Sequence, residues 1–117
     1  MMSNRFRYLT SDEAIVGNMP LRRVPVTLEE NAEPVGELDG LLIDVVDRRV
    51  EYLIVEAART GRKHVVPLDG TSLDPEEKVL ERVSAEPIES CELFDASKYA
   101  RYDDDALMSL LFGRRAA

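Results

Sequence analysis

Few side chains in this sequence are of the kind that perform chemistry. His64 and Cys91 are the only histidine and the only cysteine. A metal site combines such residues with spaced carboxylates, and a serine hydrolase surrounds its nucleophile with glycines. Neither pattern is present. We therefore interpret His64 as a structural residue near the surface at the start of a strand. A small metal-binding, ligand-binding or catalytic site around His64 is kept as the third alternative.

Two other groups of polar residues are also interpreted as having no role in catalysis or metal binding. Cys91 lies between Glu89 and Glu92, and neighbouring carboxylates disfavour the reactive thiolate form. The run Asp103–Asp105 lacks the ligand spacing of a calcium-binding EF-hand loop and is typical of an exposed helix start. We accordingly predict no enzymatic activity, no catalytic residue, no metal ligand and no cofactor.

Charge limits the classes of partner. The formal net charge is −8 and the estimated pI about 4.7, whereas nucleic-acid affinity depends on lysine and arginine displacing counterions. Nucleic acid is therefore an unlikely partner, and a basic protein is favoured. One compact basic cluster, Arg59, Arg62 and Lys63, supports RNA- or ribosome-associated binding as the second alternative. No apolar run reaches the length of a membrane span. With no signal-peptide pattern at the N-terminus and no intrachain disulfide, we expect a cytoplasmic protein.

The elements that must position these residues are mostly short β-strands. Alternating or continuous apolar runs bounded by turn residues predict six strands, over residues 23–28, 36–46, 50–56, 64–68, 72–74 and 78–83. A chain of 117 residues suits one domain with its own core. Together these features predict a mainly β protein: a small antiparallel β-barrel of about six strands.

The two ends of the chain are predicted to be partly helical. A capping pattern at Thr10 and Glu13 indicates a short helical turn over Ser11–Val16. Beyond Pro87, a helix is expected over Asp105–Phe112 and ends at Gly113. The predicted organisation is an N-terminal lead-in over 1–20, the barrel over 21–86, and a helical extension over 87–117. This extension would pack on the barrel or on a partner.

The central strands carry apolar residues on both faces. In "LLIDVV", Leu41 and Ile43 alternate with Leu42; in "VEYLIV", Leu53 and Val55 alternate with Val50, Tyr52 and Ile54. One face would fill the barrel, and an exposed second face would leave an apolar patch that soluble monomers avoid. The chain's own tail or a second copy could cover it. We predict that the partner-binding residues are Leu41, Ile43, Leu53, Val55, Leu107, Leu110 and Leu111.

The middle two-thirds of the chain resembles the PRC-barrel family. The resemblance rests on "EPVGELDGLLIDVVDRRVEYLIVEA" and "GRKHVVPLDGTSLDPEEKVLERV", in which Gly36, Asp44, Tyr52, Val55 and Pro67 occupy the family's pattern positions. The chain departs from the family in two ways: an aromatic residue often follows the proline, where Leu68 stands here, and glycine is common in the central hairpin. Because Arg48 and Arg49 replace that glycine, we expect a turn that needs no positive φ.

The resemblance implies a function as well as a fold. PRC-barrel domains look like binding and assembly modules without shared catalytic residues. It implies that this chain is a stand-alone bacterial member that binds an unidentified protein partner, and the doubled apolar pattern adds the expectation of a homodimer. The first interpretation is therefore a non-enzymatic, homodimeric interaction or assembly module.

Overall fold

A computed structural model describes residues 3–16, 19–28, 31–83 and 86–102 of the chain. These residues form eleven β-strands joined by tight turns. The strands are β1 Ser3–Thr10, β2 Ile15–Val16, β3 Met19–Pro20, β4 Pro25–Leu28, β5 Asn31–Asp44, β6 Arg49–Ala57, β7 Lys63–Pro67, β8 Thr71–Asp74, β9 Val79–Arg82, β10 Glu92–Leu93 and β11 Tyr99–Arg101.

Nine of these strands belong to one sheet, and β5 is at its centre. One edge of β5 pairs in antiparallel register with β6, from Gly36 to Asp44 of β5 and along the whole length of β6. The other edge is shared, because β4 pairs with its first half and β1 with its second. The main path runs β10-β7-β6-β5-β4-β9-β8, with β1 and β11 beside β5. Among the described strands, no pairing joins β8 to β10, so the predicted closure into a barrel is not observed.

The mainly β prediction is confirmed. The six predicted strands correspond to β4 through β9, and the predicted N-terminal turn is present as a single 3₁₀ turn over Ser11–Glu13. Strand β1, which pairs with both β5 and β11, is not among the predicted strands. In the described part of the predicted helical extension, the chain forms 3₁₀ turns at Ile88–Ser90 and Ala96–Lys98 and two short strands. The predicted helix over 105–112 lies outside the described residues.

The core fills the inner face of the bent sheet. Its largest fully buried side chains come from five neighbouring strands and from the loop before β4: Leu21, Val26, Leu38, Leu41, Ile43, Val50, Leu53, Val55, Val66 and Leu80. Burying one such side chain contributes roughly 1.5–3 kcal/mol. Close packing at Gly36 is part of this arrangement, because an added Cβ would lie 2.6 Å from the Glu56 carbonyl oxygen.

Two bulges in the β5–β6 ladder set which side chains face the core. The register shifts between Leu38 and Gly40, and again where Leu42 and Ile43 oppose Tyr52 and Val50. A bulge changes the alternation of faces by one residue. As a result, Val50 joins Leu53 and Val55 in the core. The predicted grouping of Val50 with Tyr52 and Ile54 is therefore wrong, because it assumed an uninterrupted strand.

The side chain of an aspartate stabilises the hairpin that joins β5 to β6. The Val46 and Asp47 amides donate hydrogen bonds to Asp44 Oδ1 at 2.9 and 3.0 Å, and Arg5 Nε donates to Asp44 Oδ2 at 2.8 Å. Arg48 has φ +60°, in the left-handed region. The expectation of a turn without positive φ is therefore wrong: the four-residue connection still needs one left-handed residue, and an arginine takes that conformation.

Candidate interaction groove on the outer face

The outer face of the sheet is lined by apolar and aromatic side chains. Across the strands, Tyr8 pairs with Leu42, Leu42 with Tyr52, and Ile54 with Val65. Side chains at paired positions project from the same face of a sheet. This face therefore presents a continuous set from β1, β5, β6 and β7, opposite the core.

A segment of the same chain crosses this face. β10 pairs with β7 and β11 pairs with β1, so residues 94–98 pass over β6 and β5 between those two edges. The Phe94 amide donates to the Lys63 carbonyl oxygen at 2.9 Å. The Phe94 ring lies 4.9 Å from Tyr8 and stacks on Tyr99 at 5.8 Å, centroid to centroid. Leu42 and Ile54 are consequently buried, at 1% and 0% exposed.

One end of the outer face is fixed by a polar group around Asp39. The Tyr8 hydroxyl donates to Asp39 Oδ2 at 2.9 Å, and Lys63 Nζ lies 3.2 Å from Oδ1. Burial, followed by the hydrogen bond to Asp39, raises the pKa of Tyr8 well above its ordinary value. The ring also needs Gly40, since a Cβ there would lie 2.4 Å from Tyr8 Cε1 and 2.7 Å from the Leu9 carbonyl oxygen.

The other end of the outer face remains open as a groove. Its volume is about 380 Å³. The Phe6 and Tyr52 rings meet edge to face with centroids 5.7 Å apart. The lining side chains are Phe6, Leu42, Tyr52, Val65, Pro67, Glu86, Cys91, Glu92 and Tyr99. We call this feature the outer-face groove.

The outer-face groove carries negative charge. Burial raises the pKa of the Cys91 thiol and the Glu86 carboxylate raises it further, while Arg82 acts in the opposite direction. Burial and then the Glu92 carboxylate raise the pKa of Tyr99. Both shifts favour the neutral form of the side chain. Cys91 is therefore a protonated wall residue and is unsuited to nucleophilic chemistry.

The four strand residues that were predicted to bind a partner are not on the outer face. Leu41, Ile43, Leu53 and Val55 are each 0% exposed and belong to the chain's own core. They are inner-face residues, so they do not form a contact surface in this fold. The outer face of the same strands is made by Leu42, Tyr52 and Ile54 instead. The other three predicted contacts, Leu107, Leu110 and Leu111, lie outside the described residues.

Sequence reasoning identified the doubled apolar pattern but missed the residues of the outer-face groove. Tyr52 and Pro67 were identified only as positions of the family pattern. The alternation of "RFRYLT" over residues 5–10 is a strand signal that could have revealed β1. Nothing in the local sequence indicates that Tyr99 reaches Tyr52, since that proximity depends on the crossing segment.

His64 is buried on the inner face, not near the surface as expected. It is 4% exposed, and its Nδ1 lies 3.0 Å from the Cys91 carbonyl oxygen. Among the residues that the structure describes, no hydrogen-bond partner is found for Nε2. Within the described ranges, no group of three histidine, cysteine or acidic residues is arranged to hold a metal ion. His64 thus connects β7 to the start of the crossing segment.

The basic cluster does not act as one cationic patch. Arg59 and Arg62 are exposed in the loop after β6, whereas the Lys63 ammonium pairs with Asp39. A pair of exposed arginines on a chain of charge −8 is a weak electrostatic basis for binding RNA.

Comparisons with known proteins add no further assignment to this geometry. No family model matches the chain, and a search of curated proteins finds no significant relative. Of the residues that the structure describes, none belongs to a helix with the length and apolar character needed to span a membrane.

Proposed function

We propose that this chain is a non-enzymatic interaction or assembly module of the PRC-barrel type, and that it binds a protein partner through the outer-face groove. One observation carries the proposal. The crossing segment buries Leu42 and Ile54 but leaves the Tyr52 end of the same face open. Aromatic side chains are enriched at protein interfaces because they offer a large contact area at a small entropic cost.

The resemblance to the PRC-barrel family is part of the proposal. The order of the six central strands and the Asp44 turn are compatible with such a fold, while the closed barrel itself is inferred from the resemblance. A binding role agrees with the chemistry available, since Cys91 is held protonated and His64 is buried beneath the sheet.

Site-specific photo-cross-linking tests the use of the outer-face groove. A benzophenone amino acid at Tyr52 places the reactive group inside the groove; the same residue at Ile15, which is 50% exposed, serves as the control on another strand. In extracts of the source cells, we expect one protein to be cross-linked at Tyr52 and not at Ile15. Equal labelling at both positions, or none at Tyr52, would contradict the proposal.

We also propose that the module is a homodimer. Among the described residues, Val83 and Leu93 are large apolar side chains that remain 61% and 51% exposed and are available for such an interface. Analytical ultracentrifugation of the full chain should then give twice the chain mass of 13.2 kDa. A single species at the chain mass at 100 µM would remove the dimer but would leave the partner-binding proposal standing.

A further inference from the structure

We infer that the outer-face groove receives an arginine side chain from a basic segment of the protein partner. The inference rests on the proposed function and adds the chemistry of the contact. Its basis is the combination of aromatic walls and carboxylates in one opening of the sheet.

The walls are suited to a flat cation. Phe6, Tyr52 and Tyr99 are all partly buried, and each contributes a ring to the groove. Cations are attracted to the faces of aromatic rings, and arginine can stack on them. The same fold already uses this contact, because the Arg5 guanidinium lies over the Phe6 ring with Cζ 5.9 Å from the centroid. Arg5 itself is engaged by Asp44 and Asp47.

The carboxylates supply the opposite charge. Glu86 and Glu92 line the groove together with the rings. Burial is the larger cause of the raised pKa values of Cys91 and Tyr99, and the charges of Glu86 and Glu92 respectively raise them further, while Arg82 lowers the pKa of Cys91. Beyond the groove, the net charge of −8 attracts a basic partner and repels an acidic one.

The size and shape of the groove favour arginine over lysine. A volume of about 380 Å³ can hold one long side chain with part of its backbone, at the small end of the range for ligand sites. A guanidinium is planar, stacks on aromatic faces and donates in pairs to carboxylates. A lysine ammonium is a strongly hydrated point charge, and it would exploit the rings less well.

A peptide titration tests the inference on the full chain. The probe is acetyl-Gly-Gly-Arg-Gly-Gly-amide, followed by ¹H–¹⁵N correlation spectra. The control peptide carries citrulline, which keeps the shape of arginine but loses its charge. We expect saturable shifts at the amides of Tyr52, Val65, Cys91, Glu92 and Tyr99. The expected Kd is on the order of 1 mM for a single side chain, and at least fivefold weaker for citrulline.

Matched charge variants make the test specific. The double substitution Glu86→Gln and Glu92→Gln should weaken arginine binding at least fivefold. Glu76→Gln with Glu77→Gln removes the same charge from the distant β8–β9 turn and should change the Kd less than twofold. Retained spectral dispersion confirms that each variant is folded.

Three outcomes would overturn the inference: equal binding of the citrulline peptide, shifts confined to other surfaces, or no shift at 10 mM peptide. If Tyr52 still cross-links a partner while the arginine peptide fails, the cationic contact is wrong and the proposed function stands. If both experiments fail, both proposals fall.

Discussion

The inner and outer faces of the β5–β6 pair are built from similar side chains but are closed in different ways. The inner face is covered by other strands of the same sheet, since Leu41 and Leu53 belong to one buried cluster with Val26 and Leu80. The outer face is covered by one crossing segment, which is held at its ends by β10 and β11. The inner-face side chains are therefore fully buried, whereas the single crossing segment covers only part of the outer face. The uncovered part is the outer-face groove.

The difference predicts that inner-face substitutions are the most destabilising. Leu53→Ala should lower the free energy of unfolding by about 3 kcal/mol, because it removes apolar contacts and leaves a cavity in a fully buried site. Val46→Ala, at a position 67% exposed on the neighbouring hairpin, should change it by less than about 0.5 kcal/mol. Urea unfolding measures both values. A similar loss in the two variants would mean that the inner face is not the core.

A substitution at Gly40 tests how tightly the outer face is packed. Gly40→Ala should cost about 2 kcal/mol, because the new methyl group would overlap both the Tyr8 ring and the Leu9 carbonyl oxygen, and the backbone contact cannot be relieved by a rotamer change. Adding Tyr8→Leu should recover only part of the loss. Thermal unfolding of the two variants makes the comparison, and full stability in Gly40→Ala would show that Tyr8 does not lie on this glycine.

A comparison of two similar hairpins separates the stability that the turn aspartate provides by itself from the stability that its surroundings add. Asp44 and Asp74 each accept two backbone amides, and Arg48 and Lys78 follow with positive φ. Only Asp44 is deeply buried and paired with Arg5. Asp44→Ala should therefore cost about 2 kcal/mol and Asp74→Ala about 1 kcal/mol. Equal losses by urea unfolding would contradict this assignment.

The Asp44 contribution should also depend on pH. Burial alone would raise the pKa of Asp44, but the hydrogen bonds from Asp47, Arg5 and Val46 outweigh it, so the pKa is lowered. The folded state thus binds this proton less readily than the unfolded chain does. The stabilisation is complete above about pH 4, the ordinary value for aspartate, and is lost as the pH falls through the folded-state pKa. The deficit of Asp44→Ala should shrink accordingly between pH 6 and pH 3; a constant deficit would refute this origin.

The smallest change in the free energy of unfolding is expected for a substitution in the crossing segment. Phe94→Ala should cost about 1 kcal/mol, since the ring is only half-buried, but it should loosen the cover of the outer face. Hydrogen exchange should become faster at the amides of Glu92 and Phe94 and remain unchanged at Leu53, because local opening need not involve the core. Faster exchange throughout the sheet would show that the crossing segment and the core unfold as one unit.

Local sequence was enough to predict the six central strands. β-branched runs such as "HVVP", with turn residues on each side, favour strands whatever their neighbours are. It was also enough to show that β5 and β6 have two apolar faces. The local sequence could not show which of the two faces is buried in the core, because the bulges at Asp39 and Glu51 shift the alternation of side chains without a clear sequence signal.

The sequence by itself determined a mainly β chain with an acidic surface and two apolar faces on its central strands, because composition and periodicity are local properties. Only the tertiary structure decided that Leu41, Ile43, Leu53 and Val55 belong to the core, and that Phe94 covers the opposite face next to a groove with Tyr52 and Tyr99. The physical reason is that Leu42, Tyr52 and Tyr99 are far apart in the sequence. They line one groove because β10 pairs with β7 and β11 pairs with β1, on opposite sides of the β5–β6 pair.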